Sequence, residues 1–365
     1  MVLAIFARKF QEDLMMRDTN QKETEGKMSI SRWRLLIISM TVCAVIVASV
    51  LIFQTGEPHN PPKITIGTSH SLSAALLLFA KQKKLFADEG LDVELKYYSS
   101  AGKGFQDMLK GNVHISAVAS SPIVKASFLH QNIRVFATIN SSLDDAKILA
   151  RKSSGISSAE NLKGKRIGTT PPGQSAHYFL YLYLLENGLS LKDITLVHDS
   201  PAIILNALEN GELDAACLFE PYVIQGVKHM GQNSLVLSSP GLYLKHFNLV
   251  TKQSYLENNR ELIEKILRAV IKADKLINIL PEEIVAIVAK ESELEKETVS
   301  KMYSSSYFIT TLSEELIMSM NMEAKWLKNT MHLDGRDIPN AANIIDLRPL
   351  QSISPYRVLM SAKQY

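Results

Sequence analysis

Only two cysteines occur in 365 residues, too few for a disulfide framework. Cys43 lies inside an apolar run and Cys217 inside a predicted buried strand, so each reads as a small core residue. With no disulfide implied, the redox compartment stays open. A charge excess of one sign is also missing: 40 Lys and Arg stand against 37 Asp and Glu, and the basic residues are scattered. That distribution gives no nucleic-acid surface. Enzyme signatures are absent as well. There is no phosphate loop of the Gx4GK[ST] type, no GxGxxG, no HExxH and no GxSxG elbow. Gly102-Lys103-Gly104 mimics a phosphate loop only weakly, and nine histidines lack metal-ligand spacing, so neither a metal nor a cofactor is implied.

What the chain does contain is one plan written twice. Ile66-Gly67-Thr68, Ser73-Ala74 and Leu76-Leu77-Leu78-Phe79 reappear as Ile167-Gly168-Thr169, Ser175-Ala176 and Tyr178-Phe179-Leu180. Glu89-Gly90-Leu91 matches Asn187-Gly188-Leu189, and Met108 to Val113 matches Leu208 to Leu213. The strands that follow end in Ser120-Ser121-Pro122 and in Phe219-Glu220-Pro221-Tyr222. Five matches in one order predict two similar lobes, and the length is enough to give each a core.

Within each repeat, short strands alternate with helices, the mark of βαβ units and a mostly parallel sheet. Strands are predicted at 63–68, 91–98, 113–118, 134–139 and 147–151, then at 166–169, 194–198 and 213–218. A helix over 175–187 stops at Gly188, with Ser175 as its N-cap, and Ser73 plays the same part in the first repeat. From Asn258 the pattern turns helical, with an amphipathic face over 260–279. Ser153-Ser154-Gly155 and Ser238-Ser239-Pro240-Gly241 read as crossings between lobes. The predicted organisation is thus 63–152 with 241–345 as lobe 1, 153–240 as lobe 2, and 346–365 as an irregular tail.

Ahead of the lobes, Leu35 to Phe53 is a run of 19 uncharged residues, long enough to span a membrane. Arg32 and Arg34 precede it and Glu57 follows, so the positive-inside rule leaves 1–34 in the cytoplasm and everything after the span outside. A signal anchor over 35–53 followed by a linker over 54–62 is favoured against a cleaved secretory signal. Met28 is a natural alternative start for such a leader.

In parallel sheets, ligands bind beyond the carboxyl ends of the strands. Small hydroxylated residues gather in those loops: Ser69, Ser71, Ser73, Ser99, Ser100, Ser120, Ser121, Thr169, Thr170 and Ser175. Hydroxyls and backbone N–H groups suit tight recognition of a small oxyanion without reaction. A carboxylate at a strand end, such as Glu220, needs a partner: a ligand ammonium or ring nitrogen, or a local Lys or Arg.

The run from Lys165 to Leu180, together with Ala207-x3-Gly211-Glu212-Leu213-Asp214-Ala215-Ala216-x3-Glu220-Pro221-Tyr222, resembles the solute-binding proteins of the nitrate/sulfonate/taurine group. Those proteins serve ATP-binding-cassette importers. The resemblance covers about 62–335 and implies an α/β, two-lobed type II periplasmic-binding fold with a ligand cleft at the lobe junction. It also implies a small-molecule ligand of anionic or zwitterionic type, with permease and ATPase subunits as partners. By that resemblance Ser69, His70, Ser71 and Leu72 line the cleft, with Ser100, Ala101, Gly102, Ser120 and Ser121. From the second repeat it adds Gly173, Gln174, Ser175, Ala176, His177 and Glu220. Gln174 stands where the family usually has Ser or Thr, and Phe219-Glu220-Pro221 replaces a Trp-Asp-Pro common in sulfonate binders. The same group includes thiamine-pyrimidine-precursor binders and a pyrimidine synthase branch, whose cysteine-rich stretch is not supplied by Cys217 alone. A ligand-sensing ectodomain is the remaining alternative.

Overall fold

The computed structural model describes residues 39–41, 61–333 and 335–360. Strands β1 (Lys63–Ser69), β2 (Asp92–Tyr98) and β3 (Ile115–Ala119) are parallel neighbours, ordered β2-β1-β3. β4 (Ile133–Ser142) belongs to the same sheet, and β5 (Ala146–Arg151) opens the second. There β6 (Arg166–Thr169), β7 (Thr195–His198) and β8 (Ala215–Phe219) repeat the parallel trio, ordered β7-β6-β8. β9 (Ser234–Leu237) ends that sheet, and β10 (Lys245–Lys252) with β11 (Ser306–Tyr307) completes the first.

The two sheets share one order. β2-β1-β3-β10-β4 answers to β7-β6-β8-β5-β9, and β10 and β5 both run antiparallel to their neighbours. Each of these two strands has just arrived from the other lobe. Both sheets are therefore mixed, a parallel trio with antiparallel pairings beyond it, rather than mostly parallel.

This swap moves one predicted boundary. β5 lies in the second sheet, so the first crossing is Leu143–Asp145 and not Ser153–Gly155. Leu143-Asp144-Asp145 has neither Gly nor Pro to mark it. Ser153-Ser154-Gly155 is instead a 3-10 turn within the second lobe. The return crossing runs from Ser238 to Leu244, between β9 and β10.

Helices follow the strands as the apolar stripes require. α1 (Ala75–Gln82) buries Ala75, Leu76, Leu77, Leu78, Phe79 and Ala80 in succession, so its first turns are enclosed on every face. α2 (Ala101–Lys110) and α3 (Ser120–Phe128) follow β2 and β3. α4 (Ser175–Glu186), α5 (Pro201–Glu209) and α6 (Tyr222–Met230) follow β6, β7 and β8. α2 ends at Gly111 with φ of 89°, and Gly211, just past α5, has 83°. Both sit in the left-handed region that glycine enters without steric cost, so the repeated glycine terminates the same helix twice.

α7 (Arg260–Ile277) and α8 (Glu314–Thr330) return to the first lobe and bury Ile263, Ile266, Val270, Leu316, Met320 and Leu327. The chain's end is not an irregular tail. Helix Arg348–Ile353 buries Leu350, and Val358 pairs with Leu312. Among the described residues no helix is long and apolar enough to cross a membrane. The anchor expected over 35–53 lies outside the described residues except for the helical 39–41.

Candidate functional site

A cavity of about 260 Å³ lies between the two sheets, at the carboxyl ends of the parallel strands. Ser69, Tyr98 and Ala119, at the ends of β1, β2 and β3, reach it from one side, and Phe219, at the end of β8, from the other. Four helices of nine or more residues begin at its wall. They contribute Ala101 and Gly102 of α2, Pro122 of α3, Ser175 of α4, and Tyr222 and Gln225 of α6. None of the four has a side-chain cap or an acidic residue in its first turn. The amides and positive dipole ends of α2, α3 and α4 are therefore not spent on the protein's own carboxylates, whereas α6 has a first-turn amide, that of Ile224, taken by Glu220. Tyr98, Phe219, Tyr222 and Phe247 give the same cavity aromatic walls.

Its charged groups come in pairs. Lys245 forms a salt bridge with Asp145 at 2.5 Å, and its Nζ donates to Ser73 Oγ at 3.0 Å. Lys147 Nζ donates to Glu220 Oε1 at 3.0 Å and also pairs with Asp144 at 3.2 Å. Glu220 Oε2 accepts the Ile224 amide at 3.1 Å, at the start of α6. Burial pushes the Glu220 carboxyl above its ordinary range, and Lys147 offsets this only in part. Burial works against the Lys147 ammonium, yet Glu220 and Asp144 beside it raise its pKa on balance. The partner that a strand-end carboxylate needs is thus a local lysine.

The sequence profile of the NMT1-like family matches residues 57–291. The chain belongs to that family. Among its relatives, a Bacillus subtilis (strain 168) protein assigned by name to aliphatic sulfonate binding is 26% identical over 286 residues, which cover 77% of this chain and 85% of that protein. The taurine-binding periplasmic protein of Escherichia coli (strain K12) is 29% identical over 44% of this chain and 49% of its own length. The fold is shared with the alkanesulfonate-binding protein of Xanthomonas axonopodis pv. citri, solved with MOPS bound. Its TM-score is 0.68 at 20% identity, over 79% of this chain and 99% of that one. The periplasmic nitrate-binding protein of Synechocystis PCC 6803 has a TM-score of 0.63 at 14% identity, covering 80% and 88%.

Of the residues that the family resemblance implicates, nine meet in the cavity. Ser69, His70, Ser71, Ser100, Ala101 and Gly102 come from the first lobe, and Gln174, Ser175 and Glu220 from the second. His70 is exposed and stacks on Tyr97 with ring centroids 3.8 Å apart. Gln174 reaches across the cleft: a Cβ on Gly102 would stand 3.1 Å from its Nε2. Gln174 is also the N-cap of α4, which makes Ser175 the first helical residue rather than the cap. Ser73 caps nothing either; it lies inside a 3-10 turn and accepts from Lys245.

The other six lie elsewhere, as does Thr170. Leu72 is buried and lines a neighbouring chamber. Ser120 is held by Asn248, whose Nδ2 donates to its Oγ at 3.1 Å, and Ser121 is buried beside Tyr243 and Glu323. The Thr170 carbonyl pairs with His198 Nδ1 at 3.0 Å. Gly173 packs on Lys125, whose Nζ donates to the Pro172 carbonyl at 3.0 Å and joins the lobes. The Ala176 carbonyl accepts from Cys217 Sγ at 3.2 Å, deep in the second sheet. His177 is enclosed between His198 and Trp326, and burial lowers its pKa to about 4.

Sequence reading did not find Asp145, Lys245, Phe247 or Gln225. Lys245 had one weak signal, a lysine just ahead of the apolar strand residues Phe247, Leu249 and Val250. Asp145 had another, its place in an acid pair between two strands. Cys217 carries no nucleophilic role here, because complete burial raises its thiol pKa far above the ordinary range. Among the described residues no cluster of His, Cys, Asp and Glu could hold a metal.

Proposed function

We propose that the protein is an extracytoplasmic solute-binding subunit that captures a small organic anion or zwitterion of sulfonate, nitrate or taurine type. It hands this solute to the permease and ATPase of an ATP-binding-cassette importer. The apolar run Leu35–Phe53 tethers it to the membrane, with the lobes outside. One observation carries the reading: three uncapped helix N-termini, those of α2, α3 and α4, converge on a cavity whose lining lysine, Lys245, is already paired. Such a site holds a monoanion by neutral donors and helix dipoles, without chemistry. The names of the relatives support the same solute class.

A thermal-shift screen of the full chain in detergent tests this, using taurine, ethanesulfonate, nitrate, bicarbonate and a thiamine-type pyrimidine. A solute present at a hundred times its dissociation constant adds about 2.7 kcal/mol of stability. Stabilisation by sulfonates or nitrate is expected. Stabilisation by the pyrimidine alone, or by none of the five, overturns the proposal.

A further inference from the structure

We infer that the solute extends beyond the main cavity into a second chamber and that its far end is cationic. This rests on the organosulfonate-binding reading. The second chamber measures about 240 Å³, nearly the size of the first. The two share Ser71, Ser73, Asp145 and Glu220 as lining, so only a thin partition of side chains divides them. That partition holds Ser71 and Ser73 with the two carboxylates, Asp145 paired to Lys245 on the side of the main cavity and Glu220 paired to Lys147 on the side of the second chamber.

Charge counting gives the sign of the missing partner. Three carboxylates, Asp144, Asp145 and Glu220, face two ammonium groups, Lys147 and Lys245. Lys301, at the chamber's outer wall, is matched by Glu297 at 2.9 Å and adds nothing. Asp144 Oδ1 is buried without a hydrogen-bond partner, which is unfavourable unless something donates to it. The remaining wall is small and polar, with Ser142, Ser305 and Ser306. The helix N-termini on one side thus favour an anion, and the second chamber, where Asp144 is added to the two ion pairs, carries one more carboxylate than ammonium. A zwitterion whose sulfonate and ammonium are separated by a short chain satisfies both ends; simple alkanesulfonates satisfy one.

Calorimetry on the full chain in detergent, with propanesulfonate and trimethylammoniopropanesulfonate, tests the inference through the ratio of the two affinities. The ammonium should improve binding about tenfold or more, the scale of a charge-assisted contact. Ser305→Trp, which fills the second chamber, should reduce that ratio about tenfold. Asp144→Asn, nearly isosteric, should reduce it severalfold and carries the test if the tryptophan variant does not fold. A wild-type ratio near one, or a ratio that both variants leave unchanged, overturns the second chamber as a subsite while organosulfonate binding stands. Failure of both compounds to bind overturns the organosulfonate reading itself.

Discussion

Removing the Lys147 ammonium is the most direct test of the charge arrangement beside the cavity. Its Nζ stands 3.0 Å from Glu220 Oε1 and 3.2 Å from Asp144 Oδ2, and the Lys147 and Glu220 side chains are only 14% and 7% exposed. Lys147→Met keeps most of the aliphatic volume but leaves Glu220 as an unpaired charge in a site shielded from water. Breaking a buried pair from one side costs about 3–5 kcal/mol. Glu220→Gln should cost less, about 1–2 kcal/mol, because the amide oxygen still accepts from Lys147. The double variant should be little worse than Glu220→Gln alone, giving a coupling of at least about 2 kcal/mol in a double-mutant cycle. Urea denaturation at several pH values provides the readout. Burial already raises the Glu220 pKa, and losing Lys147 raises it further. The cost of Lys147→Met should therefore shrink as pH falls and the carboxyl takes up a proton. A loss below about 1 kcal/mol that does not change with pH would show that the pair does not neutralise a buried charge, and the argument for the partition would fail with it.

Three further outcomes follow from the buried junction between the lobes and from the crossings. Complete burial holds Glu323 up at about 7 against an ordinary 4.5, so its ionisation destabilises the fold as pH rises from about 4.5 through 7. Denaturation of Glu323→Gln should gain about 3 kcal/mol on the wild type between pH 4 and pH 8; an unchanged difference refutes the shift. His177, lowered to about 4 first by burial and then by His198, resists protonation when folded. Stability should thus be lost as pH falls from about 6.5 towards 4, and His177→Phe should weaken that loss while solute affinity stays put, since the ring does not line the cavity. A large loss of affinity in that variant would place the histidine at the site after all. Finally, Leu143–Asp145 and Ser238–Leu244 should act as the hinges of lobe closure, seen as compaction in small-angle scattering with saturating solute. An unchanged profile would mean a rigid receptor.

Much of the fold was legible because it is local and repeated. Strand and helix alternation with glycine stops predicted α4 as 175–187, and it is observed as Ser175–Glu186. β4 and β5, expected at 134–139 and 147–151, are observed at 133–142 and 146–151. What local pattern could not supply was the sheet each strand joins, since that depends on non-local pairing. β5 pairs with β8 and β9, far away in sequence, and the link before it carries no turn residue. The site divides along the same line. Nine of the expected loop residues line the cavity because topology puts strand ends on that face. Asp145 and Lys245 were not expected, because a salt bridge between positions a hundred residues apart leaves no mark in either neighbourhood.

The crossings and the charges at the cavity are not independent features. Asp144 and Asp145 occupy the first crossing, Lys147 is the second residue of the strand it feeds, and Lys245 heads the strand after the second crossing. Strand exchange between the sheets is what brings these sequence-distant groups together, since β5 and β10 are the two strands that arrive from the opposite lobe. Lys245 donates into the first lobe at Ser73, while Lys147 holds Glu220 at the N-terminus of α6 in the second. A hinge rotation that alters either crossing must therefore lengthen or shorten an ion pair lining the cavity. A cation entering the partition competes for the same carboxylates. If closure turns on these crossings, solute charge and lobe angle share one set of side chains, and a ligand that offers a positive group to Asp144 or Asp145 should bias the angle in a way that a plain anion at the helix N-termini does not.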